Sequence, residues 1–504
     1  MAGRELPQDH FCPWREEAEE LREELGKLRT DVEKEIAQRD ASLETMRAQL
    51  DALTRAVFGK KSEKMPPLSR ELGKKPTRAE TTKKRAELAA EKEKLPTETV
   101  EHKVPDAERQ CPACHAEAKP AGTKQSEEIE FVPGYFRRRL HRRETLACTC
   151  GEYIVTAPPP PRIDRCQYGP GFIAHLVVQK CGDSLPIYRI EKQFKRAGIP
   201  MSRSTMTELF HRAGALVEPI AARILALVAA SDVVLADETT LPMLKTLEKD
   251  EHGNLKKMPK RTYLWTFVSG NFVAYRFSAS RSGATPSAVL GGTTGTLVVD
   301  AYTGYNAVTG VNGRTRAGCL AHARRKFFDA LSSHPEANVA LDAIREVYRV
   351  EHEAKERGVA RTAEHLAMRQ ARSKQILDKL HAWLIERRDS YLPKGGMGAA
   401  IRYALDNWIE LTRFLEDAQV PPDNNRSEAA LRVAALGRKN FLFVGHEDAG
   451  ANVAALYTIV ATCEAHGVNP FDYLRDVLVR VSSHPASDID ALLPHRWTPA
   501  TATI

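Results

Sequence analysis

Long apolar runs are missing from this chain. The greasiest stretch, Ile220 to Ala236, is interrupted by Arg223 and Asp232, and the opening MAGRELPQDH has no signal-peptide core. Neither a bilayer span nor export is therefore expected. Cysteine is also scarce. Nine in 504 residues, an odd number, argue against a disulfide scaffold and for a reducing compartment, here the bacterial cytoplasm, and they raise the question of metal ligation. Ordinary globular material is not lacking: 42% hydrophobic and 28% charged residues suffice to bury cores, which excludes wholesale disorder. At about 150 residues per domain, the length predicts three or four domains. The net charge of +8 is small for this length and favours an anionic partner only where cations share a face.

Leu21, Leu25, Leu28 and Val32, then Ile36, then Leu43, Met46, Leu50, Leu53 and Val57 recur at alternating steps of three and four, with a slip between Val32 and Ile36. That stripe predicts a coiled-coil helix over 14–58 with a local stutter, and hence a homo-oligomer. A single solvated helix packed on its own domain is the alternative. Residues 59–104 carry Lys60, Lys61, Lys64, Lys74, Lys75, Arg78, Lys83, Lys84 and Arg85 with almost no large apolar side chain, and read as a basic, solvated linker. In 105–162, Cys111-Pro-Ala-Cys114 and Cys148-Thr-Cys150 form two thiolate pairs able to hold one structural Zn²⁺, with His115 or His141 as substitute ligands. Four unrelated thiols remain the plainer reading. The proline run of 157–162 is a stiff boundary. Within 163–225, Ile187, Ile190 and Phe194 mark a helix ending near Gly198, and Ser202 caps a second helix carrying Met206, Leu209, Phe210, Ala213 and Leu216. The pair has the outline of a helix-turn-helix, with Arg203, Ser204, Thr205 and Thr207 where base edges would be read. A core helical pair has the same outline.

Val233-Val234-Leu235-Ala236-Asp237 and Thr296-Leu297-Val298-Val299-Asp300 are short apolar runs that each end in a carboxylate. Between them lie YLWTFVS (263–269) and FVAYRFS (272–278), joined by Gly270-Asn271, a hairpin signal. One mixed sheet is expected, with both aspartates near strand ends, where they can converge on Mg²⁺ or Mn²⁺. A third acid comes from Asp423-Asn424-Asn425-Arg426-Ser427-Glu428, a cap opening a helix through Ala429, Leu431, Ala434 and Leu436; Arg432 lies one turn beyond Glu428. Taken singly, the aspartates are equally compatible with Asx turns and Glu428 with a solvated helix face. Glu238 falls on the opposite face of its strand and is left out of the metal set.

VLADETT, VVDAYTGYN, GCLAHARRKF and DNNRSEAALRVAALGRKNFLFVG closely resemble the motif series of transposases of the insertion sequence sixty-six (IS66) family. The resemblance extends to FGKKSEK (58–64), the cysteine pairs, YGPGFIAHLVVQK, LPIYRIEKQF, NPFDYLRDVL and LLPHRW, and so to nearly the whole chain. One departure is the CTC of the second cysteine pair, where the family more often has two intervening residues. The resemblance implies a multidomain α+β chain whose ribonuclease-H-like α/β catalytic core is split into 226–317 and 418–465 by a helical insertion, 318–417, with a C-terminal segment, 466–504. It implies a catalytic triad of Asp237, Asp300 and Glu428 holding two Mg²⁺ or Mn²⁺ ions. These would hydrolyse a phosphodiester at the element's end and transfer the strand to target DNA. Arg324, Arg325 and Lys326 after His322, with Arg432, Arg438 and Lys439, suit phosphate contacts on double-stranded DNA, both terminal repeats and target. His322 accompanies the core in the family, though as a residue it also fits a satisfied core histidine. Accessory proteins of the same element are possible partners, and a cytoplasmic, nucleoid-associated location is expected. A non-catalytic, zinc-containing DNA-binding regulator is the competing reading.

Overall fold

The computed structural model describes residues 14–58, short pieces between 82 and 90, 134–147, 154–157, 162–164, 166–199, 201–244, 247–249, 255–257, 261–441 and 444–499. The chain divides into two units, residues 1–59 with 138–504, and residues 60–137. Cys111, Cys114, His115, Cys148 and Cys150 lie outside the described residues, as does most of the 59–104 segment. No helix among the described residues is long and apolar enough to cross a membrane.

Helix α1 spans Arg15–Phe58, and Leu21, Leu25, Leu28, Val32, Ile36, Leu43 and Met46 are exposed along it. Strands β1 (Thr145–Ala147) and β2 (Ile154–Thr156) pair antiparallel, with Ala147 opposite Ile154. Three helices follow: α2 (Pro170–Cys181), α3 (Ile187–Arg196) and α4 (Arg203–Ala229). Ser202 caps α4, its Oγ accepting from the Thr205 amide at 3.2 Å. Helix α4 continues well past the predicted helix pair, with Met206, Leu209, Phe210, Val217 and Ile224 buried, and its length packs against the central sheet.

That sheet has five strands in the order β7-β6-β3-β8-β9, where β3 is Val233–Pro242, β6 Arg261–Ser269, β7 Phe272–Ser278, β8 Thr296–Val298 and β9 Thr315–Ala317. The minor hairpin β4 (Leu247–Lys249) with β5 (Leu255–Lys257) interrupts the sequence between β3 and β6. Strands β7, β6 and β3 are antiparallel, whereas β8 and β9 run parallel to β3. Gly270 turns the β6–β7 hairpin with φ +52°, the left-handed value that the first position of a II′ turn requires. The short helix α5 (Ala284–Leu290) precedes β8.

A helical array follows β9: α6 (Leu320–Ala330), α7 (Asn338–Glu356), α8 (Ala363–Met368), a π-turn at Arg369–Ser373, α9 (Lys374–Arg387), α10 (Gly396–Asp406) and α11 (Trp408–Thr412). The chain then returns to the sheet through α12 (Asn425–Phe441), α13 (Glu447–Ala465) and α14 (Pro470–Arg480). Helix α13 closes the β7 edge. Thr458 Oγ1 accepts from the Tyr275 amide at 2.9 Å, and Thr462 Oγ1 accepts from the Val273 amide at 3.2 Å and donates to its carbonyl at 3.0 Å. The unpaired edge groups of β7 are thereby satisfied by side chains rather than left for another strand. At the other side Arg314, fully buried, donates to the carbonyls of Ala229 and Ser231 and to Thr293 Oγ1, locking the end of α4 to the β8–β9 side of the sheet.

Candidate active site

Strand β8 pairs only with the first part of β3, Leu235 lying opposite Val298. Asp237 follows two residues after Leu235, in the middle of β3, and Asp300 two residues after Val298, just beyond the end of β8, so the parallel pairing leads both acids toward the same side of the sheet. Beyond Leu235 the β8 side of β3 has no strand partner. The start of α12 takes that place: Asn424 Nδ2 donates to the Ala236 carbonyl at 2.7 Å, and the Asn424 amide donates to Cys319 Sγ at 3.3 Å. Glu428, in the first turn of α12, is hung next to Asp237 by this contact. Further down α12, Arg438 Nη1 donates to the Thr240 carbonyl at 2.8 Å and to Thr240 Oγ1.

The three carboxylates share one electrostatic field. Burial raises the Asp237 carboxyl to about 7, and the charges of Glu238, Glu428 and Asp300 push the same way, against the Glu238 amide that donates to Asp237 Oδ1 at 2.8 Å. Asp300 Oδ1 accepts from the Tyr302 amide at 2.9 Å, so the Asx turn anticipated as an alternative is present as well. Glu428 Oε1 lies 3.6 Å from His322 Nδ1. The triad is nevertheless not closed to a point. The group whose ligand atoms all fall within 4.8 Å of one another, among the described residues, is Cys319, His322 and Glu428. Burial pushes the Cys319 thiol up to about 12, and its sulfur is occupied by the Asn424 amide, so it acts as a structural acceptor. The donors suited to a hard cation are the carboxylates, whose mutual repulsion a divalent ion would relieve.

Glu238 has partners of its own. Its side chain is almost fully buried, Arg281 Nε and Nη2 approach Oε1 at 2.7 and 2.6 Å, and the Tyr305 hydroxyl donates to Oε2 at 2.7 Å. Burial and Glu238 hold that phenol well above its usual value, so it remains a donor. Arg281 also stacks on Tyr302, its Cζ 4.1 Å from the ring centroid.

A model described as "Transposase IS66 family" matches residues 165–452, more than half of the chain. The chain belongs to the IS66 transposase family. Two further matches agree: the IS66 C-terminal element over 458–495 and the zinc-finger binding domain of transposase IS66 over 108–151. Among similar proteins of Sinorhizobium fredii (strain NBRC 101917 / NGR234), "Uncharacterized protein y4qI" is 33% identical over 458 residues, 87% of this chain and 81% of the relative. "Uncharacterized protein y4jD" is 32% identical over 402 residues, 77% and 78% respectively.

In this transposase the basic residues expected to meet DNA fall into distinct groups. Arg325, Arg432 and Lys439 are exposed; Lys326 is exposed with its Nζ 4.6 Å from the centroid of the Tyr403 ring. Arg324 is half-buried and its guanidinium pKa is lowered by burial. Arg438 is turned onto β3, as described, because the helix that carries Glu428 needs an anchor there. Arg203 and Ser204 are exposed at the start of α4, Arg203 3.3 Å from Glu191, while Thr205 is half-buried in the capping network of Ser202. Sequence reasoning missed Asn424, Cys319, Arg281 and Tyr305. The cap reading of Asp423–Asn424 held the only available signal.

Proposed function

We propose that this transposase is of the DDE type, with a ribonuclease-H-like core that cuts and joins DNA at the ends of its element. The observation that supports the reading is the parallel pairing of β3 with β8, which Asp237 and Asp300 each follow by two residues, together with the bond from Asn424, four residues ahead of Glu428, to the Ala236 carbonyl. A mixed sheet of three antiparallel and two parallel strands supports the same core. Asp237, Asp300 and Glu428 would hold Mg²⁺ or Mn²⁺, which when bound supplies Lewis-acid activation of water and of the scissile phosphate. The chain's own residues do the rest. Asp237 and Asp300 supply cation donors, Glu428 is steered by α12, and Arg281 with Tyr305 engages the Glu238 carboxylate. Arg203, Ser204, Arg325, Lys326, Arg432 and Lys439 are the side chains we assign to DNA, mainly to phosphates. The exposed apolar stripe of α1 would pair with a second copy.

The test is strand cleavage. With an element-end duplex and Mn²⁺ or Mg²⁺, the parent should nick at the end, and Asp300→Asn or Glu428→Gln should reduce nicking to background while end binding persists. Variants that cut as well as the parent would remove the catalytic assignment and leave a zinc-containing DNA-binding regulator. For the zinc module we read Cys111, Cys114, Cys148 and Cys150 as ligands; β1 and β2 flank the second pair. About one Zn²⁺ per chain is expected by elemental analysis, falling in Cys111→Ser. Unchanged zinc in that variant would refute the ligand set.

A further inference from the structure

The residues ahead of β1 read Arg138-Arg139-Leu140-His141-Arg142-Arg143. All six are exposed and lie outside any helix or strand. Some other arginines of this protein pair with an acid three or four residues away, as in Arg349–Glu346, Arg413–Glu416 and Arg480–Asp476. Here no ion pair with an acid is formed among the described residues. Leu140 is 67% exposed in the middle of the run, so the segment serves no core either. Four guanidiniums and an imidazole in six residues, held at one end by the β1–β2 hairpin, make a concentrated cationic edge with no acid paired to it among the described residues.

We infer that residues 138–143 grip the phosphate backbone of duplex DNA, giving affinity without sequence choice. The guanidinium fork matches phosphate oxygens in pairs, and duplex DNA presents a phosphate charge about every 1.7 Å of axis. A segment with no helix or strand of its own has no rigid frame for setting side chains against base edges, so its contacts position the duplex rather than specify it. The same grip therefore serves element ends and target DNA. The inference rests on DNA being the substrate, as proposed above.

The experiment uses the full-length, zinc-loaded protein and two duplexes of equal length, one carrying an element end and one scrambled. Affinity is measured by fluorescence anisotropy between 50 and 300 mM KCl, for the parent and for the fourfold variant Arg138→Gln, Arg139→Gln, Arg142→Gln, Arg143→Gln. Each lost phosphate contact removes about 0.9 from the log–log salt slope, so the slope should flatten by about three to four on both duplexes. Affinity at low salt should drop by at least about tenfold. The matching fourfold lysine variant should keep the slope, and zinc content should be unchanged in both. An unchanged slope in the glutamine variant overturns the inference. Loss confined to the element-end duplex also overturns it, since that is base reading. A slope lost equally in the lysine variant points to a structural role and overturns it as well. A parent that binds neither duplex takes down the proposed function itself, whereas a binding parent with an unaffected variant takes down this inference alone.

Discussion

Asp237→Asn is expected to abolish metal-dependent cleavage and, in the metal-free protein, to raise the melting temperature at pH 8. The two effects have one origin. A carboxyl moved from 3.8 to about 7 by burial and by Glu238, Glu428 and Asp300 is more costly to ionise in the folded chain than in the unfolded one. That difference corresponds to about 4 kcal/mol before water in the half-open site reduces it, so a gain of about 2 kcal/mol is the reasonable expectation for the amide. The sign is fixed by linkage. A raised folded-state value means that the neutral carboxyl is favoured on folding; its contribution is whole below pH 3.8, falls as pH rises, and is lost above about 7. The stability difference between Asp237→Asn and parent should therefore grow from near zero at pH 4 to a plateau above pH 7. Mn²⁺ should raise the parent's melting temperature and do so much less in the variant, because a ligand that binds only the folded site stabilises it by mass action. A variant no more stable than the parent at pH 8 would show that neither burial nor the neighbouring acids make Asp237 costly to ionise.

The two strands and the hairpin between them were legible because their signal is local, an apolar run long enough for a strand, twice, with a Gly-Asn turn between, but the strand ends were not: β3 continues through Asp237 to Pro242, and β8 stops two residues before Asp300. Glu428 was legible in the same local way, as the first-turn acid of a capped helix. What joins them was not. The bond from Asn424 to the Ala236 carbonyl spans 188 positions, and the one from Asn424 to Cys319 spans 105. An asparagine in a cap motif reads the same whether it satisfies its own helix or a distant strand. Arg438 illustrates the converse. A cation on the helix of a candidate acid suits DNA, yet here Nη1 of its guanidinium is bonded to Thr240 and so fastens α12 to the sheet. Only the packing of α12 decides which way that side chain turns. Glu238 was set apart from the metal donors by strand alternation, but that it is held by Arg281 and Tyr305 depends on side chains 43 and 67 residues away.

The helical array after β9 carries the other large effect. Arg369, at the π-turn and 1% exposed, makes a bidentate pair with Glu351 at 2.8 and 2.7 Å. Its Nη1 donates to the carbonyls of Phe414, Asp417 and Val420 at 2.8, 2.9 and 3.0 Å. One guanidinium thus gathers the stretch between the array and Asp423, and the Tyr348 hydroxyl on the Glu351 helix donates to Asp423 Oδ2 at 2.8 Å. Arg369→Met should cost about 3–5 kcal/mol, since it leaves three carbonyls unpaired and the half-buried Glu351 carboxylate with only His365, 3.2 Å away, beside it, and should lower the denaturant midpoint accordingly. Arg369→Lys should recover only part, because an ammonium cannot span the fork and three carbonyls together. Adding Glu351→Leu to Arg369→Met should return part of the loss by removing that carboxylate, leaving the carbonyls as the residual cost. A loss below about 1 kcal/mol in Arg369→Met would mean that water or rearranged backbone serves those carbonyls equally well, and that the array does not hold the path to Glu428 through this residue.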